Sequence, residues 1–241
     1  MTSPLRLLIH GASGRMGQAL LRLAAERDDL SVAAAVARKS PAQRVVEGVP
    51  QFAASELNGV PEFDVAIDFS LPEGFDPVLA LCVQRGCALV SGTTGLSSAQ
   101  NQAIDAASAG IAVVWAANYS LGVAVLTELV RRAAAALPAW DCDLIEAHHT
   151  RKLDAPSGTA LHLGQAVAIG RGSEPHYASL RAGDIVGEHL VQFASAGERL
   201  ELIHRATNRD IFARGALEAA LKLARQAPGR YRLAELMFPN L

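Results

Sequence analysis

Between Glu146 and Thr159 the chain collects residue types suited to acid–base chemistry and anion binding. Two adjacent histidines, His148 and His149, are followed by Lys152, Asp154, Pro156, Ser157, Gly158 and Thr159. An imidazole exchanges protons near neutral pH, and a lysine brings a mobile point charge to a carboxylate. Asp154, Pro156 and Gly158 punctuate a loop. Ser157 or Asp154 can cap a helix beginning just beyond it. Gly158 and Thr159 then lie in the first helical turn, where unpaired backbone N–H groups and the helix dipole favour an anion. A proton carrier (His148 or His149), a cation and an anion cradle describe a site for a small carboxylated substrate. The competing reading has two ordinary strand-end histidines and a solvated lysine. It is the combination of these groups that argues for chemistry.

Those side chains need elements to hold them. The apolar run Cys142–Ala147 enters the segment and the helically periodic run Ala160–Ile169 leaves it, giving strand, loop, helix. The same order opens the chain. Leu5–His10 is a short apolar run, Gly11-Ala12-Ser13-Gly14-Arg15-Met16-Gly17 is a glycine loop, and Met16, Leu20, Leu21, Leu23 and Ala24 recur with helical spacing. A glycine loop at a strand-to-helix turn lets the backbone approach a pyrophosphate and sets the phosphates on the helix N-terminus. The spacing is Gly-x-x-Gly-x-x-Gly, a variant of the commoner dinucleotide pattern. A second strand, Ser31–Val36, ends at Ala37-Arg38-Lys39, where an adenosine-ribose acid usually stands. Two cations in place of that acid attract a 2′-phosphate, so the expected cofactor is NADPH, with NADH possible.

Residues 40–59 read as loop-like and ambiguous. Strands follow at Asp64–Phe69, Ala88–Ser91 and Ile111–Trp115, alternating with helices at Glu73–Arg85 and from Ser97 to about Ala109, where Ser97 with Gln100 makes a capping box. This rhythm predicts a Rossmann-type, doubly wound parallel sheet with helices on both faces. Its ligand belongs at the carboxyl ends of the strands, which places Gly92-Thr93-Thr94 and Ala116-Ala117-Asn118-Tyr119 against it. Leu121–Leu137 is a helix stopped by Pro138, and Trp140–Ala147 is a strand. Tyr177–Arg181 is a further strand, and Glu188–Ser195 with Arg199–Arg205 alternate as a hairpin around Ala196-Gly197. Together they make a second α+β domain with a mostly antiparallel open sheet, whose edge invites another subunit. Asp210–Arg225 is again helical and Tyr231–Met237 reads as a last strand. The expected domains are residues 1–119 with 210–241 for the dinucleotide, and residues 120–209 for substrate binding and oligomerisation.

Composition bounds the rest. At 241 residues, 50% hydrophobic and 19% charged, the chain is globular, and its formal net charge of −2 with no basic block gives no reason to expect nucleic acid. Its three cysteines, Cys82, Cys87 and Cys142, are too few and too odd in number for a disulfide framework and lack metal-site spacing. Leu5–Ile9 is too short for a signal peptide, and no apolar run reaches the length of a membrane span. The expected location is the cytoplasm.

The glycine loop, Asp68-Phe69-Ser70, Gly92-Thr93-Thr94-Gly95, Asn118-Tyr119-Ser120-Leu121-Gly122-Val123 and Glu146-x-His148-His149-x-x-Lys152-x-Asp154-Ala155-Pro156-Ser157-Gly158-Thr159-Ala160 together resemble the 4-hydroxy-tetrahydrodipicolinate reductase (dihydrodipicolinate reductase) family. The resemblance runs nearly end to end, and the His-His-to-Gly-Thr segment is its most specific part. It implies a homotetrameric NAD(P)H-dependent reductase of lysine and diaminopimelate synthesis. It implies His148 as proton donor and Lys152 as second catalytic cation, with His149, Lys152, Gly158 and Thr159 on a dicarboxylate substrate. It further implies Gly11 to Met16 on the pyrophosphate, and Gly92, Thr93, Thr94 and Ala116 to Tyr119 near the nicotinamide. Many members carry an acid where Ala37 stands, beside an arginine matching Arg38, so cofactor preference is where this chain departs from the pattern. Rival readings are another nicotinamide-dependent imino-acid or amino-acid dehydrogenase and a non-enzymatic NADPH sensor. The proton carrier beside an anion cradle weighs against the sensor.

Overall fold

A computed structural model describes residues 3–239, and the chain divides into two compact units. The first runs through Tyr119 and resumes at Phe212; the second is Ser120–Ile211. In chain order the first unit holds β1 (Leu5–His10), α1 (Arg15–Ala25), β2 (Leu30–Ala37), β3 (Val45–Val46), β4 (Val49–Ala53), a 3-10 turn (Ala54–Gly59), β5 (Val65–Asp68), α2 (Pro72–Arg85), β6 (Ala88–Ser91), α3 (Ser98–Ala107) and β7 (Ala112–Trp115). The second holds α4 (Leu121–Ala136), β8 (Asp141–His148), α5 (Gly158–Arg171), β9 (His176–Arg181), β10 (Gly187–Ser195) and β11 (Glu198–Ala206). Then come α6 (Asp210–Leu223), β12 (Gly229–Tyr231) and α7 (Leu233–Met237).

The first unit's sheet has the order β12-β7-β6-β5-β1-β2-β4-β3, parallel except for the small β3–β4 ribbon. Strand β5 is buried along its whole length, as a strand covered by helices on both faces must be. The helices start where the sequence supplies a reason. Ser97 Oγ accepts from the Gln100 N–H at 3.2 Å while Gln100 Oε1 accepts from the Ser97 N–H at 3.0 Å, which opens α3. Pro72 sits in the first turn of α2, and Gly86 closes that helix in the left-handed conformation.

Residues 40–59, ambiguous in the sequence, form the β3–β4 ribbon around Glu47-Gly48, both at positive φ, followed by the 3-10 turn. Consecutive positive φ values are what a two-residue hairpin needs. Tyr231–Met237 departs from the expected strand. Only Gly229–Tyr231 pairs, with β7, and Leu233–Met237 is a short helix burying Leu233, Leu236 and Met237. A short apolar run fits either period, and three residues on one helical face suffice to cover a core edge.

In the second unit the four strands run β11-β10-β8-β9, with β8–β9 parallel and the other two pairings antiparallel. Burial along β10 alternates residue by residue, so one face is core and the other is not. Cys142, Leu144, Val191 and Phe193 form the inner face and pack with Leu126, Val130, Leu163 and Val167 of α4 and α5. By the same parity Glu146, His148 and His189 lie on that inner face, beyond the apolar cluster. The outer face carries a short apolar strip between charged rows, Glu188 with Arg205 on one side and Asp143, Gln192 and Glu201 on the other. Register sets Leu190 between Ile145 and Ile203, and Ala147 opposite Leu180, with Leu180 56% and Ile203 40% exposed.

Candidate active site

In the first unit the glycine loop leaves β1 and folds onto the end of β2. The Gly11 and Ala12 N–H groups both donate to the Val36 carbonyl, at 3.0 and 2.9 Å. Gly11 has φ +82°, and a Cβ there would collide with the Phe69 carbonyl oxygen, so only glycine serves. Helix α1 starts at Arg15 with no side-chain cap and no acid in its first turn. That leaves an N-terminus suited to an anion. Ser13, Gly14 and Arg15 are exposed along the loop, while Ala12 is buried against the unit. Arg38 and Lys39 follow β2 directly and are exposed, two and three residues beyond the Val36 carbonyl that anchors the loop.

The carboxyl ends of β1, β5, β6 and β7 are knitted by a network that no sequence spacing reveals. Asp68 is fully buried; its Oδ1 lies 2.8 Å from His10 Nδ1, and its Oδ2 accepts from Ser91 Oγ at 2.9 Å and Thr93 Oγ1 at 2.7 Å. Burial works against the Asp68 charge, but the His10 ring and the surrounding donors outweigh it and hold the carboxyl below its ordinary range. Thr93 Oγ1 also accepts from the Ser70 N–H, and the Thr93 carbonyl accepts from Trp115 Nε1 at 2.8 Å. Thr93 is therefore buried in the framework, whereas Gly92 is half-buried and Thr94 exposed. Tyr119 is also part of the framework. Its hydroxyl donates to the Ser91 carbonyl at 2.8 Å, its ring meets Phe69 edge-on, and burial pushes its phenol up. Ala116 and Asn118 are half-buried and Ala117 is exposed. Backbone and small side chains are thus what these two loops offer a ligand.

In the second unit His148 ends β8, and α5 begins after the loop. Ser157 caps α5, its Oγ accepting from the Ala160 N–H at 3.2 Å. Asp154 takes a different position. Its carboxylate sits on Lys152 Nζ, 2.8 Å from each oxygen, and Lys152, aided more weakly by the Gly158 N–H, holds the carboxyl below its ordinary range. His149 Nε2 lies 3.1 Å from Arg209, a group that only donates, so that nitrogen accepts and carries no proton. Burial first, then Arg209 and the other nearby cations, lower the His149 pKa. His148 has the opposite neighbour: its Nδ1 lies 2.5 Å from Glu146 Oε2. The sequence leaves the proton carrier open between the two histidines, and their surroundings differ in sign. The sequence places Glu146 at the head of the motif without giving it a role, and does not single out Arg181 or His189. Arg181 and His189 lie 35 and 32 residues from their partners Glu146 and Ser157, and only the fold shortens those separations. Among the described residues no group of three or more metal-binding side chains occurs.

A Rossmann sheet with an uncapped glycine-loop helix, and a second unit carrying a histidine–carboxylate pair beside a helix N-terminus, define a nicotinamide-dependent oxidoreductase. Family models described as dihydrodipicolinate reductase N-terminus and C-terminus match residues 5–119 and 122–237. A 4-hydroxy-tetrahydrodipicolinate reductase of Stenotrophomonas maltophilia (strain K279a) is 73% identical over 236 residues, 98% of either chain. One of Xylella fastidiosa (strain 9a5c) is 62% identical over 98% of this chain and 100% of its own. The chain belongs to the dihydrodipicolinate reductase family. A dipicolinate-bound dihydrodipicolinate reductase from Paenisporosarcina sp. TG-14 has the same fold, with a TM-score of 0.83 at 24% identity over 95% of this chain and 97% of its own. The architecture is shared more widely. A DAP dehydrogenase of C. glutamicum gives a TM-score of 0.64 at 13% identity over 100% of this chain and 97% of its own, so fold alone does not choose the substrate. No helix among the described residues is long and apolar enough to cross a membrane.

Proposed function

We propose that the first unit binds the dinucleotide and the second the substrate, and that the chain reduces 4-hydroxy-tetrahydrodipicolinate to tetrahydrodipicolinate in lysine and diaminopimelate synthesis. The observation that carries the reading is the pairing of His148 with a carboxylate at the end of β8, in a chain whose relatives of that activity match it nearly end to end. Loss of water from the hydroxylated ring leaves an unsaturated dicarboxylate. A bound nicotinamide supplies a hydride to one unsaturated carbon. The neighbouring carbon needs a proton, and His148 gives it, directly or through one water; such general acid catalysis is worth about 10²–10⁴-fold. Lys152 and the first-turn N–H groups of Gly158 and Thr159 hold a substrate carboxylate, with His149 beside them. That positioning lowers the barrier by ordering the reactants in advance.

Toward the cofactor, the residues fit a pyrophosphate on the glycine loop, Gly11 to Met16, and a nicotinamide near Gly92 to Thr94 and Ala116 to Tyr119. The exposed Arg38-Lys39 pair beside the loop favours the 2′-phosphate of NADPH, while NADH remains a usable donor. The apolar strip on the outer face of the four-stranded sheet, with Leu180 and Ile203 exposed, supports assembly into the homotetramer expected from the family resemblance.

The test is a coupled assay. The preceding aldol-type synthase generates fresh substrate from pyruvate and aspartate semialdehyde, and reduced-nicotinamide absorbance is followed with NADPH and NADH separately. Substrate-dependent loss of absorbance is expected. No loss from folded protein that binds NADPH would overturn the reading.

A further inference from the structure

Glu146 is 1% exposed, and both oxygens of its carboxylate are committed. Oε2 faces His148 Nδ1 at 2.5 Å and accepts from Arg181 at 2.9 Å. Oε1 accepts from Arg181 at 2.8 Å and from the Ser157 N–H at 3.3 Å. Arg181 is itself anchored on the Asp154 and Leu180 carbonyls, each at 2.6 Å. A buried carboxylate under a forked guanidinium is ionised and can only accept. His148 Nδ1 must then be the donor in their short contact, so the neutral ring carries its proton on Nδ1 and exchanges the other on Nε2.

Two further features concern Nε2. A Cβ built on Gly187 would stand 3.1 Å from it, so glycine at this point of β10 keeps that nitrogen uncovered. The His189 ring packs edge-on against His148, centroids 5.2 Å apart, and its own Nε2 is 3.1 Å from Ser157 Oγ. Glu146 and His189 therefore both reach Ser157, the residue that caps α5, while Glu146 also holds His148.

We propose that Glu146, clamped by Arg181, is the positioning residue of the proton donor: it fixes the tautomer of His148, aims Nε2 past Gly187, and ties that donor to the N-terminus of α5. The proposal rests on the reading of His148 as donor. In the step it supports, the Nε2–H bond of the imidazolium breaks and its proton joins the carbon beside the one that takes the hydride. The electron pair stays on Nε2, and the Nδ1–H remains on Glu146 throughout. The next proton returns to Nε2 from solvent.

The experiment combines nitrogen-15 NMR of labelled histidines with steady-state kinetics on the full chain. In the unaltered protein His148 shows the Nδ1–H tautomer. Glu146→Gln offers an amide that can donate as well as accept, so that signature becomes mixed or reverses. Turnover falls toward the loss of the general acid itself, up to about 10²–10⁴-fold, with a much smaller change in KM for the substrate. Gly187→Ala leaves the Glu146–Arg181 pair in place, keeps the tautomer and also lowers turnover. Adding Glu146→Gln to His148→Gln costs nothing further, because both act through one proton. An unchanged His148 tautomer in Glu146→Gln, multiplying effects in the double variant, or full turnover in Gly187→Ala would overturn the proposal. Full turnover in His148→Gln would instead overturn the donor reading. The tautomer measurement separates the two failures, since it does not depend on activity.

Discussion

Lys152 and Asp154 form a two-pronged ion pair, Nζ lying 2.8 Å from each carboxylate oxygen, and the same carboxylate draws on the Gly158 N–H. On the proposed reading Lys152 holds the substrate carboxylate, so Asp154 competes for the same cation. Asp154 is largely exposed and Leu153 beside it is 95% exposed, so the loop can release it. A solvent-exposed pair of this kind is worth about 0.2–1 kcal/mol. Asp154→Asn is therefore expected to lower KM for the dicarboxylate roughly two- to fivefold, with kcat changed less. Steady-state kinetics checks it. A rise in KM would mean that Asp154 orients Lys152 and does not compete with the substrate.

On the proposed reading, Arg38 and Lys39 set the preference for NADPH over NADH. Replacing both by alanine is expected to raise KM for NADPH about tenfold, the loss of a charge-assisted hydrogen bond or more, and to leave KM for NADH nearly unchanged. Parallel titrations with the two cofactors measure this. An equal effect on both would place the two cations away from the 2′-phosphate.

His189 gives a pH dependence of stability. Burial chiefly, with the neighbouring His148 next, pushes its pKa down to about 4, with Glu146 opposing and His204 and Lys152 adding slightly. The unfolded chain takes up this proton near pH 6.5 and the folded chain does not. Stability is therefore whole above pH 6.5 and declines as pH falls toward 4. The loss is about 2 kcal/mol by pH 5. The depressed carboxyls of Asp68 and Glu146 act in a lower window, since their contribution is complete above the ordinary carboxylate range and fades only as pH falls below it. Urea unfolding at pH 7 and pH 5 should show a smaller difference for His189→Gln than for the parent. Equal differences in the two proteins would contradict the assignment.

The outer sheet face predicts an assembly. Ile203 lies in register with Leu190, which in turn faces Ile145. A charge at the exposed Ile203 should break an apolar contact between copies without touching the inner core. Ile203→Asp is expected to reduce the mass measured by light scattering while preserving the circular dichroism spectrum. A parent protein that is already monomeric would contradict the proposal.

Much of this architecture is legible because its signals are local. The β1-loop-α1 turn, the Ser97 capping box, the Ser157 cap and the hairpin turning at Gly197 (φ +92°) each follow from a few neighbouring residues. Leu233–Met237 was not legible, because five residues cannot separate a helical from an extended period. The site's wiring was not legible either. Asp68 meets His10 across 58 residues and Glu146 meets Arg181 across 35, so nothing in their spacing marks them as partners. Thr93 and Tyr119 fall at the sheet edge the sequence indicates, yet their side chains turn inward and serve the framework.

The most direct measurement follows the hydride itself. NADPH deuterated at the transferable position of its nicotinamide is supplied with freshly generated 4-hydroxy-tetrahydrodipicolinate, and the product is analysed by mass spectrometry. The account predicts one deuterium on a ring carbon of tetrahydrodipicolinate for each cofactor oxidised. Cofactor oxidation with no deuterium in the product would contradict it.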